Sequence, residues 1–343
     1  MKNKFGRTMP DIIEKEILAE YPTLDEWISD FLNESELRWP EWCYLPMTAS
    51  YGLIVNGADQ PFAYRIMANG GINNLRFMSA IIPWRVGKPV YRFDKELAEE
   101  LMNNTTAGKI PVEIILHMPY PCLYIENPPC VEHCVGMFVF LEWDERYPNA
   151  VELRMHYVFD DETIEAVYLQ YDVNGVDTNI FEAKVMLDSV QALFDMMRYS
   201  GRIDIDELSI KRQEQLLEQA PRHMNLILYL CSQEPDIRRR DPIPRLRGVR
   251  KDVAAYSDKI DVGTYIGATI RKAAALSKEQ THSAVSDDRE YRSPRPHMRK
   301  AHWHLYWTGQ GRTVARMKWV MPIFVKGSVQ DTQDKPTVIH PVK

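Results

Sequence analysis

Between Arg295 and Val325 the chain sets His297, His302, His304 and Tyr306 among six Lys/Arg side chains, with Trp303, Trp307 and Trp319 interleaved. Three kinds of chemistry use such residues: imidazoles ligate metals or move protons, cations neutralise phosphates, and aromatic rings stack on unpaired bases. His302, His304 and Tyr306 alternate with Trp303, Leu305 and Trp307. On a β-strand, alternate side chains point to opposite faces. One face then carries imidazoles and a phenol, and the other carries large apolar groups.

Each chemistry can be weighed on the same residues. Two imidazoles on one strand face can share a metal ion. The segment holds no Asp, Glu or Cys, however, and Glu290 is the nearest acid. Arg295, Arg299, Lys300 and Arg312 would repel a cation. General acid–base cleavage of RNA would need His302 or His304 beside Arg299 or Lys300, and spacing alone does not establish it. A basic and aromatic binding surface fits the composition best. The plainer alternative makes the tryptophans core and the cations a solvated rim. The expected binding set is Arg295, His297, Arg299, His302, Trp303, His304, Tyr306, Trp307, Arg316 and Trp319. Of these, Trp303, Trp307 and Trp319 are expected to hold the segment in place. No catalytic residue, metal or cofactor is expected.

A β-hairpin is the element that would position this set. Its strands fall near residues 302–307 and 314–321, with Gly309 and Gly311 supplying the turn. Upstream, residues 89–93 read as a strand, and Asp94 is an N-cap for a helix through Leu101. Segments 122–126, 134–143, 151–159 and 164–171 are rich in β-branched and aromatic residues, and short turns between them favour an antiparallel meander. Helices are expected near Thr23–Phe31, from Ala183 through Met197, over 207–219 and over 221–230. Residues 61–82 carry apolar side chains at mixed helical spacing, broken at Gly70-Gly71. Residues 261–275 read as an ordered element and 277–293 as a polar linker. The resulting fold class is α+β: a central antiparallel sheet flanked by helices, with a C-terminal β-hairpin.

The 343 residues are 45% hydrophobic and 26% charged, enough to bury a sizeable core. Net charge is -6, but it is unevenly spread: residues 1–235 hold 20 Lys/Arg against 37 Asp/Glu, and residues 236–343 hold 22 against 11. This divides the chain into an acidic α+β body, 1–235, with a helical subregion 1–85, and a basic region, 236–343, that ends in the hairpin and either stands apart or packs on the body as one globule. The basic region marks an anionic partner or an attraction to the body itself. The longest apolar runs, 135–141 and 226–231, are too short to cross a bilayer. Asp11, Glu14 and Glu16 interrupt any signal-peptide pattern, and five scattered cysteines do not make a disulfide framework. A cytoplasmic protein with no membrane partner is expected.

Other clusters carry less. Cys122, Cys130, His133 and Cys134 could be a zinc set, but adjacent His and Cys do not readily ligate one ion, so structural cysteines are expected. Arg238–Arg240 with Arg245, Arg247, Arg250 and Lys251 reads as a solvated basic loop. Asp160, Asp161 and Glu162 read as a turn. There is no P-loop, GxSxG, HExxH or Rossmann fingerprint.

The run RPHMRKAHWHLYWTGQGR, followed by KWVMPIFVKG, resembles the C-terminal signature of a type V-A anti-CRISPR family, the second of that type (AcrVA-two). PVYRFDKELAEEL, PCLYIE, LILYLCSQEPDI and YIGATIRKA fall in matching order upstream. The resemblance implies a mobile-element protein, acting in a bacterial host, that lowers the amount of the type V-A nuclease (Cas-twelve-a). It implies recognition of the nascent nuclease's N-terminal peptide during translation and loss of the encoding mRNA. The implied partners are that peptide, with the ribosome, the mRNA or a host ribonuclease alongside it. Two alternatives stay open from the residues: a ribonuclease using the C-terminal His and Arg residues, and a plasmid or phage nucleic-acid-binding protein unrelated to CRISPR.

Overall fold

A computed structural model of the chain describes residues 7–34, 38–104, 110–172, 184–187, 207–238, 257–283 and 297–325. The four middle segments form the expected meander. Strands β2 (Cys122–Glu126), β3 (Cys134–Glu142), β4 (Ala150–Phe159) and β5 (Ile164–Asp172) pair antiparallel in order. Strand β6 (Lys184–Leu187) adds to β5, Val167 opposite Leu187. This corrects the helix expected from Ala183. The run KVML meets both periods, and pairing with β5 selects the strand. The rest of that expected helix lies outside the described residues.

The sheet is mixed rather than wholly antiparallel. Strand β1 (Pro89–Phe93) runs parallel to β2 and also to β8 (Asp258–Val262), and β7 (Ile237–Arg238) closes that edge against β8. The order is β6-β5-β4-β3-β2-β1-β8-β7. Both faces are covered, which explains why β3 reads as the unbroken apolar run MFVFL: a strand buried on both sides has no polar face.

One face packs on helices α1 (Met9–Glu20), α2 (Leu24–Glu34), α3 (Met47–Val55), α4 (Gln60–Ile66) and α5 (Ile72–Trp84). Leu24, Met78, Ile81 and Trp84 meet Tyr124, Phe138 and Phe140 there. Buried charges fix α1 to the end of α5: Glu14 accepts from Arg85 at 2.9 Å and from Lys88 at 2.6 Å. A π-helical turn with Gly70 at φ 92° separates α4 from α5, at the break expected from the glycine pair.

The other face packs on α6 (Lys95–Met102) and α7 (Glu207–Cys231). Asp94 caps α6 as expected, its carboxylate accepting from the backbone N–H of Glu96 at 3.2 Å. The two helices expected over 207–230 form one, running through Pro221. Proline removes one backbone bond there. The buried Leu216, Ala220, Met224 and Ile227 keep the two halves on one apolar face. Helix α8 (Thr264–Ser283) extends into the stretch expected to be a linker. Among the described residues no helix is long and apolar enough to cross a membrane.

Candidate nucleic-acid interface

The hairpin forms where the glycines allow it. Strands β10 (His302–Thr308) and β11 (Val314–Val320) pair antiparallel, and Gly309 and Gly311 take φ 81° and 75° in the turn. The register sets Trp303 opposite Trp319, Leu305 opposite Met317 and Trp307 opposite Ala315 on one face. His302, His304 and Tyr306 stand opposite Val320, Lys318 and Arg316 on the other. A short pair, β9 (His297–Arg299) with β12 (Ile323–Val325), continues the element, His297 opposite Val325.

The inner face is anchored in the main core. Trp303 and Trp319 are only 8% and 5% exposed. The Trp303 indole N–H donates to Asn225 Oδ1 at 2.9 Å, and Trp319 meets the Tyr229 ring edge-on at 6.0 Å. The Met317 carbonyl accepts from the Gln233 backbone N–H at 2.7 Å. These contacts run to α7 and to the loop after it. They place Trp303 and Trp319 in the packing role expected of them.

Trp307 departs from that role. It lies at the turn end of the strand, beyond the part that meets α7, and is 48% exposed. The outward face presents exposed His302, His304 and Lys318, half-buried Tyr306 and Arg316, and Arg312 at the turn. The His304 and Tyr306 rings lie 5.8 Å apart, tilted by 37°. Tyr306 donates its hydroxyl to Gln233, and Lys318 pairs with Glu234 at 2.8 Å. Lys318 in turn draws the Glu234 carboxyl below its usual range. Arg299 and Lys300 are exposed beside the strands. Arg295 lies outside the described residues. Apart from Glu234, no acid among the described residues pairs with a cation of this surface.

Lys318 and Arg312 belong to the surface but were not in the expected set. The pairing register would have found Lys318, since two strands joined at Gly309–Gly311 bring it opposite His304. The cysteine cluster does not converge. Cys122 faces the α1–α5 side of the sheet, whereas Cys130 and Cys134 pack on the opposite side. His133 is bound at 3.0 Å to Asp160, which raises its pKa.

The architecture defines a class: an α+β protein whose mixed sheet, covered on both faces, carries a basic and aromatic hairpin. The chain belongs to the AcrVA2-like family, the anti-CRISPR type V subtype A2 family, whose profile matches residues 91–327. It is an AcrVA2-type anti-CRISPR protein, as the C-terminal signature implied. Its fold resembles that in a crystal structure of AcrVA2, with a TM-score of 0.54 at 15% identity, covering 93% of this chain and 100% of that one. No curated protein sequence matches the chain.

Proposed function

We propose that the protein lowers the level of the type V-A CRISPR nuclease by recognising the N-terminal region of the nascent chain during translation and causing loss of its mRNA. In this reading it acts in the bacterial cytoplasm, and the hairpin surface meets RNA, at the ribosome or on the message. The observation that carries the RNA part is the outward hairpin face. It offers Arg312, Arg316 and Lys318, with the exposed ring of Trp307 beside them at the turn end of the opposite face, and among the described residues Glu234 is the one acid paired with these cations. Cations that neutralise phosphates beside rings that stack on bases are the elements of single-strand recognition. Family membership supports the nuclease as target. The excess of acids over residues 1–235 and of cations over 236–343 accords with two partners of different charge.

Co-expression with the nuclease tests the reading. Nuclease protein and mRNA are expected to fall together. Replacing the nuclease's first codons with an unrelated leader is expected to restore both. Unchanged mRNA in the presence of the protein would overturn the mechanism.

A further inference from the structure

On the face of the sheet opposite the hairpin, a groove of about 350 Å³ opens between α1, α5 and the ends of β2, β3 and β4. Its floor is apolar. Ile13, Ile17 and Val158 are buried, and Ile12, Phe77 and Val135 are half-buried within it. Its rim is acidic: Glu16, Glu20, Glu126, Asp160 and Glu162 line it, and Arg7 is the one cation among its described lining residues. Part of that charge is already satisfied. Glu126 pairs with Arg92 at 2.7 Å, Asp160 with His133 at 3.0 Å, and Glu20 accepts from Asn74 at 2.8 Å. Glu16 and Glu162 are exposed, and neither pairs with a cation among the described residues.

We propose that this groove docks a cationic amphipathic peptide segment, with one or two apolar side chains on the floor and Lys or Arg against Glu16 and Glu162. The volume suits side chains from a short segment rather than a folded surface. The charge selects among occupants. Phosphates of RNA or of a membrane surface would be repelled by the rim, whereas a basic segment gains from both the rim and the floor. The inference rests on the groove's own chemistry and holds whether or not the segment belongs to the nuclease.

Full-length protein titrated into a fluorescein-labelled Leu/Lys amphipathic peptide, followed by fluorescence anisotropy, tests it. A Leu/Glu peptide of the same pattern is the control. Saturable binding of the Leu/Lys peptide alone is expected. The double variant Glu16→Lys with Glu162→Lys is expected to weaken it about tenfold or more. Glu145→Lys with Glu214→Lys changes net charge equally on exposed positions outside the groove, and is expected to weaken it less than about threefold. Ile12→Asn, with the rim intact, is expected to weaken binding as well. Melting curves confirm that each variant folds, and Glu16→Gln replaces the double variant should that one unfold. Absence of saturable binding to the unaltered protein would overturn the proposal, and so would equal losses in the two charge-reversal pairs.

Discussion

Trp303 on β10 and Asn225 on α7 are joined by a 2.9 Å hydrogen bond between two buried side chains. Asn225 Oδ1 is the acceptor that satisfies the buried indole N–H. Replacing Asn225 by Leu is expected to destabilise the fold by about 1–3 kcal/mol, the cost of a buried donor left unpaired. Removing the ring itself, in Trp303→Ala, is expected to cost about 3–5 kcal/mol. Denaturant unfolding monitored by tryptophan fluorescence and circular dichroism measures both. Equal stability of Asn225→Leu and the unaltered protein would show that the bond contributes nothing.

Trp307 gives the opposite expectation. Its ring is half exposed at the turn end of the hairpin, so Trp307→Ala should leave stability within about 0.5 kcal/mol. Binding of single-stranded RNA should weaken by about 1–3 kcal/mol, as expected for one lost stacking platform. Arg316→Gln and Lys318→Gln should each lower the slope of log affinity against log salt by about 0.7. Unchanged slopes in both variants would remove these side chains from any phosphate contact.

Much of this hairpin is legible in the sequence. The alternation from His302 to Trp307 has period two, and two glycines sit at the turn, so the strand and its two faces follow from local signals, whereas the register that sets Lys318 opposite His304 comes from the pairing. The core role of Trp303 and Trp319 followed from the same alternation. Trp307 did not, because its exposure depends on where the body ends beneath the strand. The antiparallel meander was legible for the same local reasons. The parallel pairing of β1 with β8 was not, since nothing in PVYRF names a partner that lies far along the chain. Lys184–Leu187 is ambiguous in the sequence because four residues satisfy either period, and pairing with β5 decides it.

His223 makes stability depend on pH. Its ring is buried on α7, where Nδ1 meets the Tyr157 hydroxyl at 2.9 Å and Nε2 lies 2.9 Å from the Pro129 carbonyl. Burial depresses its pKa from 6.5 to about 4. The unfolded chain therefore binds a proton that the folded chain refuses between those values. The contribution is fully present above pH 6.5 and is lost as pH falls toward 4, by roughly 3 kcal/mol. Urea midpoints measured across that range should fall with pH, and His223→Gln should flatten the slope. A variant as acid-sensitive as the parent would place the effect elsewhere.

Glu142 works in the other direction. Burial raises its carboxyl from 4.5 to about 8, while its Oε1 accepts from the backbone N–H groups of Met47 at 3.0 Å and Trp143 at 3.1 Å. Here the folded chain holds a proton that the unfolded chain releases, so stability falls as pH rises from 4.5 to 8. Glu142→Gln keeps the accepting oxygen and cannot ionise. It should remove that fall and leave the protein more stable than its parent at pH 8. Identical pH profiles would show that the carboxyl is ionised throughout.

Asp236 closes the β7–β8 edge onto α8. Its carboxylate accepts from the backbone N–H groups of Tyr265 at 2.6 Å and Ile266 at 3.0 Å. Asp236→Ala should cost about 0.5–2 kcal/mol and speed amide exchange in the first turn of α8 before other elements respond. Uniform exchange across the chain would mean that the cap acts only through global unfolding.

The place of β8 has a consequence for how the protein is made. Strand β1 leaves the ribosome early, yet one of its two flanking strands is not synthesised until Asp258–Val262 emerge. Until then the Pro89–Phe93 edge has its backbone groups open to any extended chain, in the manner of an unprotected edge strand. A message truncated before codon 258 would therefore yield a product with a permanent sticky edge. An inhibitor proposed to act on translating ribosomes is itself one whose sheet closes only late in its own translation.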